Sequence, residues 1–304
     1  MKSILLTGSK GFIGAKLLVA LNSLDYSINL LSRSGNEFFP TTICDFLIND
    51  IPENSLKSID TIFHLAGYSH DLNPDTKSKY LFQAINIDAT IKLAKLAIKN
   101  NVKHFIFISS VKAAGVSEDG RCLSEEFNGV PEGEYAKSKK IAENKLIEIT
   151  QNSNMQLSII RPSLVYGPNV KGNLELLWNA VKEERFLPIP NVKNRKSMVH
   201  IDDLVRAIIL ISKQNFNNYE IFNVTDGELY SSRDIYESMC TIQNKNPYKL
   251  FMPKFLFKII SCISPNLRLK VKKLIQDECY SSDKLKSIGF KPKKSLREMN
   301  ETIF

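Results

Sequence analysis

The sequence is poor in the residues that build metal sites and disulfide frameworks. It has four histidines and five cysteines among 304 residues. Cys44, Cys122, Cys240, Cys262 and Cys279 are scattered, odd in number and without Cys-x-x-Cys spacing. That pattern points to a reducing compartment and argues against structural zinc. The histidines have no ligand-like spacing either, so no metal is expected. No apolar run approaches the roughly 18 to 20 residues of a membrane span. The N-terminal apolar run is too short for a signal peptide and breaks into glycines. Internal repeats, low-complexity stretches and long linkers are absent, and a cytoplasmic protein is expected. At 43% hydrophobic residues, the chain can bury one large domain or two closely packed lobes.

Acidic residues are scarce towards the C-terminus. Residues 241–304 hold fourteen Lys/Arg against five Asp/Glu, which accounts for the whole net charge of +9. Within this tail, PKFLFKIISCISPNLRLKVKKLI mixes apolar and basic residues at roughly helical spacing. A core-packed helix with solvated lysines is the favoured reading, and a weak contact with an anionic membrane surface is the other. No nucleic-acid partner is expected, because no recognised fold or aromatic interleaving accompanies the charge.

What the chain does have begins at its start, MKSILLTGSKGFIG. Ile4-Leu5-Leu6 reads as a buried parallel strand, and glycines follow at 8, 11 and 14 before a helical pattern. Strand, glycine turn and helix together hold a dinucleotide pyrophosphate on a helix N-terminus. Gly8 allows the tight turn, Gly11 the approach of the phosphates, and Gly14 close packing of helix on strand; Phe12 and Ile13 open the helix. Apolar runs at 3–7, 27–32, 60–65, 104–109 and 156–161 alternate with helical patterns at 12–23, 79–99 and 135–152. Such alternation predicts an α/β fold, a Rossmann-type doubly wound parallel sheet with a smaller α/β substrate-binding lobe.

The second strand ends in Ser32-Arg33-Ser34, where NAD-binding proteins of this kind present an acid to the ribose. An acid would repel a 2′-phosphate, whereas Arg33 can bind one. NADP(H) is therefore the favoured cofactor, with NAD left open. Asp45 and Phe46 are candidates to flank the adenine. Leu65, Ala66 and Gly67 end another strand where small residues admit the pyrophosphate and nicotinamide ribose, and His64 beside them reads as structural.

Ser109-Ser110 closes the strand at 104–109, and the helix near 135 carries Tyr135 and Lys139 on one face. An adjacent ammonium favours a phenolate, and a serine hydroxyl can orient the substrate oxygen that exchanges a proton with it. Tyr280 and Lys284 repeat the same spacing, but they lie in the basic tail rather than after a nucleotide-site strand. Tyr135 is the candidate acid.

TGSKGFIG, HLAG, ISSVKAAG, YAKSK, RPSLVYGP and VHIDDLVRAI occur in the order seen in the extended short-chain dehydrogenase/reductases, the NAD-dependent epimerase/dehydratase group. The resemblance spans nearly the whole chain, down to GFKPKKSLRE. It implies a triad of Ser110, Tyr135 and Lys139. Asn86 would be the fourth member, positioning Lys139 through a water, and Lys139 would also hold the nicotinamide ribose. It further implies that Pro162 and Val165 pass the nicotinamide, and that Asn173, Leu187 and Pro188 surround a UDP moiety. Arg195 or Lys196 would meet its diphosphate, although lysine cannot form the bidentate fork of arginine. The implied division is 1–163 with 197–226 as nucleotide domain, and 164–196 with 227–304 as sugar-binding lobe. His200-Ile-Asp-Asp203 would return the chain between them, its acids capping a helix. The implied assembly is a homodimer through 79–99 and 135–152. Ala114 departs from the tyrosine that many sugar epimerases carry there.

RPSLVYGPNVKGN and LPIPNVKNRKSMVHIDDLV most resemble reductases of UDP-4-keto-6-deoxy-hexosamines, and also UDP-glucose 4-epimerases. An epimerase recycles tightly held NAD, whereas a reductase consumes reduced cofactor. Arg33 therefore favours a reductase delivering hydride to C4 of a UDP-4-keto sugar for polysaccharide precursors. UDP-glucose or UDP-N-acetylglucosamine 4-epimerisation is the alternative. A non-catalytic NADP(H)-binding regulator is a second alternative, opposed by the complete set of four matching residues.

Overall fold

The computed structural model describes residues 1–69, 76–116, 120–185, 189, 190, 192–248, 257 and 265–300. Its ten strands among the described residues are β1 (Lys2–Thr7), β2 (Tyr26–Ser32), β3 (Thr41–Ile43), β4 (Thr61–His64), β5 (His104–Ile108), β6 (Gln156–Pro162), β7 (Leu164–Tyr166), β8 (Lys196–His200), β9 (Tyr219–Val224) and β10 (Leu229–Tyr230). Seven of them form one sheet in the order β3-β2-β1-β4-β5-β6-β9, every neighbouring pair parallel. A second, three-stranded sheet has the order β10-β8-β7.

Alternate residues of β1 serve opposite cores. Ile4 and Leu6 pack with Leu17 and Leu21 of α1 (Phe12–Asn22), and Leu5 packs on the other side. There it meets Leu93 and Ala97 of α3 (Thr90–Lys99) and Leu146 of α4 (Glu134–Thr150). Burial on both faces is why these strands read as continuous apolar runs rather than alternating ones. The helical pattern at 79–99 is not one helix. It comprises α2 (Thr76–Leu81), a π-helical stretch at Phe82–Ala89 and α3.

Around this second sheet, Tyr166 and Met198 pack with Tyr230, Tyr236 and Met239, the last two on the helix Ser232–Ile242. Buried Asp226 accepts the hydroxyls of Tyr166 at 3.1 Å and Tyr230 at 2.9 Å, and burial pushes its carboxyl up to about 6. Of the basic tail, residues 253–256 and 258–264 lie outside the described residues. Pro265–Ile275 is helical, with Val271 buried, Arg268 exposed and Lys272 paired with Glu132.

Against the expectation of a reducing compartment, Cys122 and Cys279 are disulfide-bonded across 157 residues, with Cα atoms 4.5 Å apart. Scattered spacing hides such a pairing, because connectivity belongs to the fold. Cys44 and Cys240 are free and buried.

Two buried histidines lock neighbouring strands. The His64 ring meets the hydroxyls of Thr7 (2.8 Å) and Thr90 (2.9 Å), and His104 meets that of Ser158 (2.8 Å). Burial holds their pKa values down at about 3 and about 4, so both rings stay neutral in the folded chain and gain protons on unfolding. Each therefore removes stability as pH falls from 6.5, by up to about 1.4 kcal/mol per pH unit. Urea midpoints at pH 7 and pH 5 check this: the midpoint should fall at pH 5, and equal midpoints would contradict the assignment.

Candidate active site

The glycine turn sits where β1 passes into α1. Gly8 has φ +74°, and a Cβ on it would lie 2.6 Å from the Ala66 nitrogen. A Cβ on Gly14 would lie 2.0 Å from the Gly8 carbonyl oxygen. Only hydrogens fit at these two positions, which is how the turn closes against β4 and leaves the start of α1 open. That start has Gly11 as its N-cap, no side-chain cap and no acid in the first turn. The Ser9 hydroxyl in the turn is buried without a hydrogen-bond partner among the described residues. A bare helix N-terminus, a glycine cradle and an unsatisfied hydroxyl are what a dinucleotide phosphate needs, so the chain fits that cofactor.

Phe12 and Ile13 are half-buried in the first turn of α1. At the end of β2, Ser32 is half-buried and Arg33 exposed, while Lys10 of the glycine turn donates to the Ser34 hydroxyl at 2.5 Å. Lys10 is a cation that pattern reading missed, because it occupies a variable place between the glycines. Asp45 caps its own turn by accepting from the Leu47 amide, and Phe46 packs towards the His64 ring. Leu65 and Ala66 follow β4, and the Ala66 amide donates to the Thr7 hydroxyl at 3.1 Å.

Gly67 brings the candidate catalytic groups together. A Cβ there would meet the Asn86 side-chain oxygen at 3.2 Å and Lys139 Nζ at 3.4 Å. The π-helical stretch carries Asn86, as such bulges often do at functional positions. Asn86 accepts from the Tyr68 amide at 2.7 Å and donates to the Tyr68 carbonyl and the Ser138 hydroxyl, both at 2.9 Å. It thus ties the Gly67 segment to α4 directly.

Lys139 is buried, donates to the Ile108 carbonyl at 2.8 Å and lies over the Phe107 ring. Burial pushes its ammonium down to about 8, and Glu143 draws it back up. Burial raises the Tyr135 hydroxyl to about 12, opposed by a hydrogen bond with Ser110. Sequence reading expects Lys139 to act on Tyr135. In the structure, Ser110 is the group bonded to the phenol, while Lys139 reaches the end of β5. Tyr280, the alternative tyrosine, is buried with its hydroxyl on the Gly115 carbonyl at 3.1 Å, where it packs rather than faces the site.

Pro162 is buried at the end of β6, and Val165 lies in β7. Asn173 is exposed at the start of α5 (Asn173–Lys182), whereas Leu187 and Pro188 lie outside the described residues. Arg195 and Lys196, expected on a diphosphate, already hold carboxylates. Arg195 Nε donates to Asp277 at 2.9 Å, and Lys196 Nζ to Glu278 at 2.9 Å. Lys112, two residues beyond Ser110, and Lys273 also lower the Glu278 carboxyl, so three lysines surround one acid. The sequence reading gives neither Lys112 nor Lys273 a role in the site.

The NAD dependent epimerase/dehydratase family model matches residues 4–225. The chain belongs to this family. A UDP-glucose 4-epimerase of Vibrio cholerae is 30% identical over 304 residues, 98% of this chain and 93% of the relative. An N-acetyl-alpha-D-glucosaminyl-diphospho-ditrans,octacis-undecaprenol 4-epimerase of Escherichia coli O157:H7 is 28% identical, covering 95% and 90%. The crystal structure of a Bacillus cereus UDP-glucuronic acid 4-epimerase with NAD has a TM-score of 0.80 at 23% identity, covering 98% and 96%. That likeness concerns the fold. As a family member, the protein is an NAD-dependent enzyme of the extended short-chain dehydrogenase/reductase type.

Replacing Gly8 by alanine adds about 1–3 kcal/mol of backbone strain and pushes into Ala66. NADH titration by fluorescence should show binding lost in this variant, and unchanged affinity would refute the cradle.

Proposed function

We propose that the protein is a nucleotide-sugar 4-epimerase in which Tyr135 exchanges the proton of the sugar's 4-hydroxyl. The hydrogen bond between Ser110 and Tyr135, the latter on the helix that also bears Lys139, carries this reading. When bound, the nicotinamide cofactor supplies reversible hydride transfer at C4. Ser110 holds the oxygen at that carbon, and Tyr135 takes and returns its proton. Lys139 and Asn86 fix the floor of the site through Ile108 and Tyr68. Lys112 and Lys273 offer positive charge for the diphosphate.

The V. cholerae and E. coli relatives support epimerisation over the 4-keto reduction that Arg33 suggests. Arg33 and Lys10 still support a role for NADP(H), which is the observation that speaks for the reductase. The excess of basic residues in 241–304 favours a second reading, in which the sugar is carried on a polyprenyl diphosphate at a membrane surface, as in the E. coli relative's name. Exposed Tyr80 and Ile141, on the helices expected to pair, support a homodimer.

With UDP-glucose and UDP-N-acetylglucosamine as probes, Tyr135→Phe should lower turnover about 10²–10⁴-fold and leave NADH affinity unchanged. Retained turnover would remove Tyr135 from the chemistry. Denaturing the purified protein and identifying the released dinucleotide separates the cofactor readings: retained NAD supports the epimerase, whereas an empty site preferring NADPH supports the reductase.

A further inference from the structure

Tyr135, Lys139 and Glu143 recur at four-residue intervals along one face of α4, and Glu143 has no part in the reading above. Its side chain is 1% exposed, as is that of Arg161. Arg161 grips the carboxylate twice, from Nε to Oε1 at 2.9 Å and from Nη2 to Oε2 at 2.6 Å. The Ser109 hydroxyl donates to the same Oε1 at 2.5 Å. Ser109 and Arg161 stand at the C-terminal ends of neighbouring parallel strands, joined there by the Ser109 amide on the Ile160 carbonyl at 2.7 Å. Ser109 adjoins Ser110 on one side, and on the other Ile108, whose carbonyl receives Lys139.

We propose that Glu143 is a positioning residue for the reaction, the carboxylate that locks the Ser110 strand end and the Arg161 strand end onto the helix bearing Tyr135 and Lys139. The inference rests on the roles proposed for Ser110, Tyr135 and Lys139. A neutral hydrogen-bonding group would supply the geometry but not the charge. The titratable groups around Lys139 are Tyr135 and Glu143 on α4 and His64 from β4. Around Glu143 stand Arg161 from β6, Lys140 on α4 and, beyond Arg161, Glu125 from the preceding loop. His64 is neutral, and Glu143 is the anion that raises Lys139. Glu143 thus fixes where the Ser110 hydroxyl points and keeps the neighbouring ammonium protonated.

The test compares Glu143→Gln, Glu143→Asp and Ser109→Ala with the wild type, using UDP-glucose and UDP-N-acetylglucosamine. It adds the melting temperature of the cofactor-free protein from pH 6 to 10. Glu143→Gln should lower kcat about 100-fold with little change in KM, and move the alkaline limb of kcat down by about one pH unit. Glu143→Asp keeps the charge and should leave the limb in place. Ser109→Ala removes one bond without stranding a charge, and should lower kcat about tenfold while folding normally.

The melting profile gives a reading without turnover. Burial pushes the Lys139 ammonium down to about 8 from its ordinary 10.5, so it adds stability as pH rises between the two. In Glu143→Gln that rise should begin at lower pH, and Lys139→Met should abolish it. Lower melting temperatures with kcat and both pH profiles unchanged would make Glu143 a packing contact and overturn the proposal. If the wild type turns over neither sugar, the functional reading fails, and an unshifted Glu143→Gln melting profile would then overturn the positioning role by itself. Should Glu143→Gln not fold, Ser109→Ala and Glu143→Asp decide: unchanged kcat in Ser109→Ala, or a moved limb in Glu143→Asp, would overturn it.

Discussion

Two charged side chains cut off from solvent, Arg161 and Glu143, stand where three elements meet. Taking a carboxylate and a guanidinium out of water costs several kcal/mol for each ion, and only near-complete hydrogen bonding offsets it. The structure meets that demand with the paired bonds between them, the Ser109 hydroxyl and the Glu125 carbonyl. Each partner comes from a different part of the chain. Satisfying the charges therefore fixes α4 against β5 and β6, and the glycine turn beyond β4 inherits that alignment. The apolar cores on either face supply the bulk of the burial, but apolar contacts tolerate small slips that a bidentate ion pair does not.

A second clamp joins the segment between Ser110 and Tyr135 to the stretch around Cys279. Leu123 exchanges backbone hydrogen bonds with Cys279 and Ser281, the Cys122–Cys279 disulfide lies alongside, and Arg195 bonds Gly120. Asp277 and Glu278, on the same short stretch as Cys279, hold Arg195 and Lys196. The loop that precedes the candidate acid is thus tied to Arg195 and Lys196.

Features that depend on local pattern were legible in the sequence. Continuous apolar runs gave the central strands because both sheet faces are covered. The glycine turn was readable because positive φ and close packing admit no other residue at Gly8 and Gly14. Tyr135 was separable from Tyr280 by its place after a strand. Features that depend on distant partners were not legible. Arg195 and Lys196 looked like free cations because Asp277 and Glu278 stand about 80 residues away. The widened turn around Asn86 has no residue signature, since its sequence suits an ordinary helix. Glu143 was hidden because a glutamate on an amphipathic helix reads as solvated until its burial is seen. Strand β9 was missed because its Tyr219-Glu220 start masks the apolar run that follows.

The edge position of β9 bears on how the chain is made. β6 is complete at Pro162, yet its outer partner ends at Val224, after the chain has passed through β7, α5 and β8. During synthesis, a nearly finished sheet presents one unpaired apolar strand until about sixty further residues have emerged. Pairing between strands so far apart in sequence is slow compared with the local contacts that precede it. The last strand to join is therefore the one that seals the sheet, and the nascent chain is most open to misassociation just before its nucleotide domain closes.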